Sequence, residues 1–273
     1  MNALSQTLDR PAAAQRGWRA DLALIGWQVA YEQRAFWRNR TRAFFSFGMP
    51  IMLLLIFASL NTGRIEQLHD IKYVVFFLPG IMAYGIVITQ FVNMAGGLAI
   101  QRDNGLLKRM RGTPLPGWAY VVGRVGSTAL TSAMMAVVML AIGEAFYGIH
   151  LRVEALPAIA IAVLLGAATF AALGMAAVSI IPNAEAAPVV ANVLILPLSF
   201  ISGIWYPMTD APSWLLDVAK VFPIQRLADA LQTAFDPINH GSTFAGGDLL
   251  ILAIWLGVGV RLAMAFWRRE TAR

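Results

Sequence analysis

The chain has 273 residues, of which 58% are hydrophobic and 13% charged, with a mean hydropathy of +0.64 and no cysteine. An ordinary soluble domain carries about a quarter charged residues, so a single water-soluble core is excluded, and disulfide and thiolate chemistry go with the missing cysteines. The formal charge of +6 comes from basic residues that flank apolar runs, not from a patch on a soluble surface, which argues against nucleic acid as a partner.

Residues 1–17 read as a flexible cytoplasmic tail. The first 42 residues hold seven arginines and no uninterrupted apolar stretch, so no secretory leader is expected. In 18–42, Trp18, Leu22, Ile25 and Val29 recur at helical spacing, while Arg19, Asp21, Glu32 and Arg34 fall elsewhere around the wheel. This predicts an interfacial amphipathic helix with Trp27, Tyr31, Phe36 and Trp37 at headgroup depth; the alternative is a basic stop for the first span.

An ionised side chain at mid-bilayer costs several kcal/mol and roughly 20 apolar residues are needed to cross, so charge-poor windows mark the spans. They cover 43–63, 73–101, 112–143 (interrupted only by Arg124), 155–184, 186–209 and 249–267 (containing Arg261). The expected fold is therefore an all-α, polytopic membrane protein whose six-helix transmembrane domain occupies 43–267. Between helices five and six, the external segment 206–236 mixes Asp210, Asp217, Lys220, Arg226 and Asp229 with Pro207, Pro212 and Pro223. No span fits there; Trp214, Leu215, Val218 and Val221 make short amphipathic turns. Residues 268–273 form a second cytoplasmic tail. With both termini inside, fifteen Lys and Arg are cytoplasmic against five outside.

The basic segment 99–116 joins helices two and three. Ile100, Leu106, Leu107 and Met110 give it an apolar ridge, Arg102, Lys108, Arg109 and Arg111 a polar side, and Gly112 and Pro114 a stop. It reads either as a short helix that plugs into another protein or as a charged loop that enforces topology.

Gln101 to Pro116, with its core Gly105-Leu106-Leu107-Lys108-Arg109-Met110-Arg111-Gly112-Thr113-Pro114-Leu115-Pro116, resembles the segment after the second helix of type-2 ABC transporter permeases. Pro197 to Pro207, followed by Pro212-Ser213-Trp214-Leu215 and Phe222-Pro223-Ile224, resembles that family's fifth helix and external segment. The resemblance implies short external helices and a coupling helix at 99–113 that docks on an ATPase subunit, with Arg102, Asp103, Gly105, Leu106, Lys108, Arg109 and Thr113 within the contact. The chain departs from the family in its approach to the glycine: Gln101, Arg102 and Asp103 stand where glutamates are common. Two ATPase copies, a second permease copy or paralogue, and ATP with Mg on the ATPase subunit are likewise implied; no cofactor is assigned to this chain.

No GxxxxGK[ST] motif occurs, so ATP hydrolysis is not encoded, and no catalytic residues are proposed. Within the spans, Gln90, Asn93, Asn192, Ser199 and Ser202 are candidates for a translocation path or for helix packing. The expected function is the permease subunit of an exporter of an amphipathic small molecule, a drug or antibiotic, or a lipid, in a bacterial plasma membrane. Eighteen arginines against three lysines point to a GC-rich source. The alternatives are an ion-coupled secondary transporter, which would need buried Asp, Glu or His, and a non-transport membrane scaffold.

Overall fold

The computed structural model describes residues 18–66, 70–106, 109, 117–209, 211–236 and 243–272. The tail 1–17, Leu107, Lys108, Met110 and the stretch 111–116 with Thr113 lie outside the described residues. Helix α1 (Trp18–Arg38) is parted from α2 (Arg40–Leu60) at Asn39, whose side-chain oxygen accepts the Arg42 amide at 3.0 Å. This N-cap starts α2 three residues before the expected Ala43, so Arg40 and Arg42 belong to the first turn of a spanning helix. A two-residue antiparallel ladder, β1 (Arg64–Ile65) with β2 (Ile71–Lys72), follows. It escapes a periodicity reading because two residues show no alternation.

The centre of the bundle is one long rod: α3 (Tyr73–Val87), a π-helical turn (Ile88–Val92) and α4 (Asn93–Asp103). Helix α3 is apolar on all sides, and Phe77, Leu78, Ile81, Met82 and Ile86 are fully buried, as expected for a helix enclosed by others. Around it stand α5 (Gly117–Tyr147), α6 (Leu156–Ala177), α7 (Ala187–Phe200), α8 (Ser213–Val221), α9 (Pro223–Phe235) and α10 (Gly246–Ala272).

Among the described residues, five helices are long and apolar enough to cross a membrane: Arg40–Leu60, Tyr73–Asp103, Trp118–Tyr147, Val153–Ala177 and Gly246–Ala265. The fifth expected span, 186–209, is instead the 14-residue α7 followed by turns. At 1.5 Å per residue, α7 rises only about 21 Å against a hydrocarbon core of about 30 Å. The helix stops because its own hydroxyls compete for backbone groups: Ser199 Oγ donates to Leu196 O at 2.7 Å, Ser202 Oγ donates to Ser199 O at 2.8 Å, and Gly203 then takes φ +68°.

Helix α9 is no surface appendage. Ile224, Leu227, Ala228, Ala230 and Leu231 are buried, and it packs on α3, α6 and α10. Helix α6 is the hub of the bundle, its small residues at 166–177 allowing close approach. At Gly174 the approach is to backbone: a Cβ there would stand 2.7 Å from the carbonyl oxygen of Phe91 in the π turn.

Candidate functional site

At one end of the rod, α4 closes in a tight turn. Gly105 adopts φ +66°, a left-handed conformation that costs glycine least, and the Arg109 amide returns to Gly105 O at 3.2 Å. Beyond the turn, Leu106 is 41% exposed. Arg102 and Asp103, expected on the ATPase contact, face the α6–α7 turn of the same chain. The Arg102 guanidinium donates to the carbonyls of Val178, Ile181 and Pro182, and an Asp103 carboxylate oxygen accepts the Ala184 amide at 2.7 Å. The expected contact set thus divides: Arg102 and Asp103 are engaged within the chain, Gly105, Leu106 and Arg109 lie at and beyond the turn, and Lys108 and Thr113 are not described.

About three helical turns up the rod lies a polar layer between α1, α2, the π turn and α5. Gln90 is fully buried, and its amide nitrogen donates to Thr128 O at 2.9 Å and to Ser132 Oγ. Asn93 donates to Ser46 Oγ at 3.1 Å. Both are therefore interhelical hydrogen-bonding residues in this conformation. Arg124, the lone charge in the third window, is 4% exposed; its guanidinium donates to Gln101 Oε1 at 2.7 Å and to the Tyr120 hydroxyl. Arg42 stacks over the Phe36 ring at 5.7 Å, and Glu32, Arg42, Gln90, Asn93 and Arg124 line a cavity of about 40 Å³. The Arg42 Nε and Gln90 Oε1 atoms there have no hydrogen-bond partner among the described residues. A π turn at this level is in keeping with the tendency of such insertions to occur at functional positions.

Sequence reasoning marks Gln90 and Asn93 but misses the rest of this layer. Arg42 reads as a topology marker, and Gln33 carries no signal of its own. Yet Gln33 fastens α1 to α5, donating to Ser127 O at 2.6 Å, Ser127 Oγ at 3.1 Å and Thr131 Oγ1 at 3.0 Å. The signal that points here is Arg124, a charge inside an apolar window that needs partners. Trp18, Leu22, Trp27 and Tyr31 remain exposed on the other side of α1, where an interfacial helix would meet lipid. Gln33→Leu is expected to cost about 1–2 kcal/mol, or a fall of roughly 2–8 °C in the thermal midpoint in detergent. An unchanged midpoint would mean that α1 is not held on α5 by this residue.

The remaining candidates part company. Ser199 and Ser202 are fully buried, bonded to their own backbone, and Ser199 Oγ also accepts Trp205 Nε1 at 3.3 Å. Trp205 is ringed by Tyr84, Phe57 and Phe200, with centroids at 5.2, 5.8 and 5.8 Å. Asn192 is instead exposed on α7 beside Val189 and Val193.

The geometry is that of apolar helices around a continuous rod, closed at one end by a basic turn. Residues 24–235 match the family described as ABC-2 type transporter. The chain belongs to the ABC-2 type transporter family. Among its relatives is the inner membrane transport permease YadH of Escherichia coli strain K12, 22% identical over 211 residues covering 75% of this chain and 80% of the relative. The putative transport permease YvfS of Bacillus subtilis strain 168 is 21% identical over 246 residues, 90% of this chain and 97% of the relative. The family match ends at Phe235, so it takes in α1 from residue 24, the rod, the Arg102 turn, the polar layer and α9, and leaves out α10. As a family member the chain is the membrane subunit of an ABC transporter.

Proposed function

We propose that this chain is the permease half of an ATP-driven exporter in a bacterial plasma membrane, moving an amphipathic small molecule, drug or antibiotic, or lipid outward. ATP and Mg are held by a separate ATPase subunit, present in two copies, and a second permease, identical or paralogous, completes the path. The observation that carries this reading is the end of the rod: a turn at Gly105 that holds Leu106 exposed, followed in sequence by a basic stretch, at the foot of the most enclosed helix in the bundle. A push there is applied directly to the core. Both termini are assigned to the cytoplasm by the excess of Lys and Arg on that side.

The second permease finds support in apolar side chains left outside the bundle. Helix α2 exposes Phe44, Phe45, Met49 and Leu60, and α7 exposes Val189, Val193, Leu196 and Phe200. Asn192 lies among the latter, and an exposed amide on an apolar helix is costly against lipid, so it belongs facing a protein neighbour or the transport path. YadH is named a transport permease and YvfS a putative one, which supports the transport part of the reading.

Purification in mild detergent tests the reading: a P-loop ATPase is expected to co-purify in stoichiometric amount, and its absence would count against an exporter. Leu106→Asp is expected to leave membrane insertion intact while reducing ATPase capture at least tenfold, which corresponds to about 1.4 kcal/mol of lost contact. Undiminished capture and nucleotide hydrolysis in that variant would remove Leu106 from the contact.

A further inference from the structure

Two adjacent residues of opposite charge hold the two ends of one turn. Arg102 Nη1 donates to Val178 O at 3.1 Å and to Ile181 O at 2.9 Å, and Nη2 donates to Pro182 O at 3.0 Å. These carbonyls follow the last turn of α6, where a helix leaves acceptors unpaired and where its dipole favours a cation. Asp103 Oδ2 accepts the Ala184 amide at 2.7 Å, three residues before α7 begins, and Asp103 Oδ1 accepts Arg102 Nε at 3.2 Å. The two side chains are 16% and 35% exposed. Three elements, α4, α6 and α7, therefore meet through one charge pair.

We propose that Arg102 and Asp103 are positioning residues that tie the docking segment beginning at Gly105 to the turn at 178–187, so that displacement of Leu106 is delivered to α7 together with α4. The inference rests on the transport reading. Bonds to ionised groups are about twice as strong as neutral ones, and the planar guanidinium engages three carbonyls in a fixed fork. Those donors are used within the chain, which is a different role for Arg102 from direct contact with an ATPase. The far end of α7 completes the path. Phe200 stacks on Trp205 at 5.8 Å, and Ile204 O lies where a Cβ on Gly80 would be 2.7 Å away, so α7 cannot shift lengthwise without disturbing the aromatic cluster beside α3. Motion entering at the basic turn thus reaches the opposite end of the bundle by two routes, the rod and α7.

The cysteine-free sequence permits labelling without background. In the purified permease alone, Arg102→Ala is expected to raise amide hydrogen exchange across 178–187 about tenfold, the loss of about one charge-assisted bond, with no change across 156–170. Unchanged exchange overturns the tie, whatever the protein transports. In the complex with its ATPase, nitroxides at N104C, beside the docking segment and outside the expected contact set, and V189C, both exposed positions, report the distance between the foot of α4 and α7. With Arg102 and Asp103 present, that distance is expected to change by less than about 2 Å between resting and vanadate-trapped states; in R102A/D103N it is expected to change by about 5 Å, the scale of one helical turn. A residue pair that merely stabilises the fold would not alter the trapping response. Equal responses in the two proteins overturn the delivery of motion to α7. Failure of any ATPase to co-purify overturns the transport reading and the delivery of motion with it, while the exchange measurement still decides the tie.

Discussion

Gly174→Val is expected to lower the thermal midpoint of the purified protein by about 6–12 °C, or to prevent folded protein from accumulating. A Cβ at Gly174 would stand 2.7 Å from Phe91 O, 3.1 Å from Phe91 Cα and 3.1 Å from Met94 Cβ. Two of these atoms are backbone, held in the π turn and unable to rotate away. Overpacking of this kind costs about 1–3 kcal/mol when side chains can yield, and the upper end applies where they cannot; at roughly 2–4 °C per kcal/mol the stated shift follows. Gly257→Val on α10 is the control, since a Cβ there would meet nothing within 4 Å. Its midpoint should stay within about 2 °C of the parent. Equal midpoints for the two variants would mean that α6 does not approach the rod as closely as described.

The second large effect is a pH dependence centred on Asp229. Burial on α9 pushes its carboxyl up to about 7, the charge of Asp248 pushes in the same direction, and Arg226 opposes them. Arg226 is itself bonded to Asp248 at 2.7 Å, so little of its charge is left for Asp229. In the unfolded chain an aspartate ionises near 3.9. Between that value and about 7 the folded protein holds a proton that the unfolded chain has released, so stability falls as pH rises through this window and levels off above it. A shift of about three units corresponds to about 4 kcal/mol, and partial solvent access reduces this to roughly 2–4 kcal/mol. The thermal midpoint of the parent protein should therefore decline between pH 5 and pH 8 (roughly the interval set by those two values), while Asp229→Asn should flatten the profile and exceed the parent at the alkaline end. A parent profile that rises with pH over this interval would contradict the burial of a protonated Asp229.

Much of the layout is readable from charge alone. Arg42, Arg64, Lys72, Glu154 and Glu185 bound the apolar windows, and α2, the rod, α5, α6 and α10 lie within or around those windows. The exception is instructive. The window 186–209 has enough apolar residues for a span, yet α7 ends at Phe200 because Ser199, Ser202 and Gly203 offer the backbone another hydrogen-bonding arrangement. Window length counts residues and does not see that competition. The candidate site is half legible. The coupling helix expected over 99–113 with its stop at Gly112 ends at Asp103 and turns at Gly105, Arg102 and Asp103 face α6 and α7, and Gln33, Arg42 and Arg124 join the expected Gln90 and Asn93 in a polar layer without a motif to mark them.

By itself the sequence determined that hydrocarbon is the solvent for most of this chain, because the cost of placing a charge in lipid belongs to each residue wherever the chain takes it. It also marked the basic segment after the second span, through the run of cations from Arg102 to Arg111. Tertiary structure alone decided which charges leave the aqueous edge and what they hold. Arg124 reaches Gln101 across 23 positions and Arg102 reaches Ile181 across 79, and the worth of such pairs depends on distance in space and on burial, neither of which is a property of sequence separation.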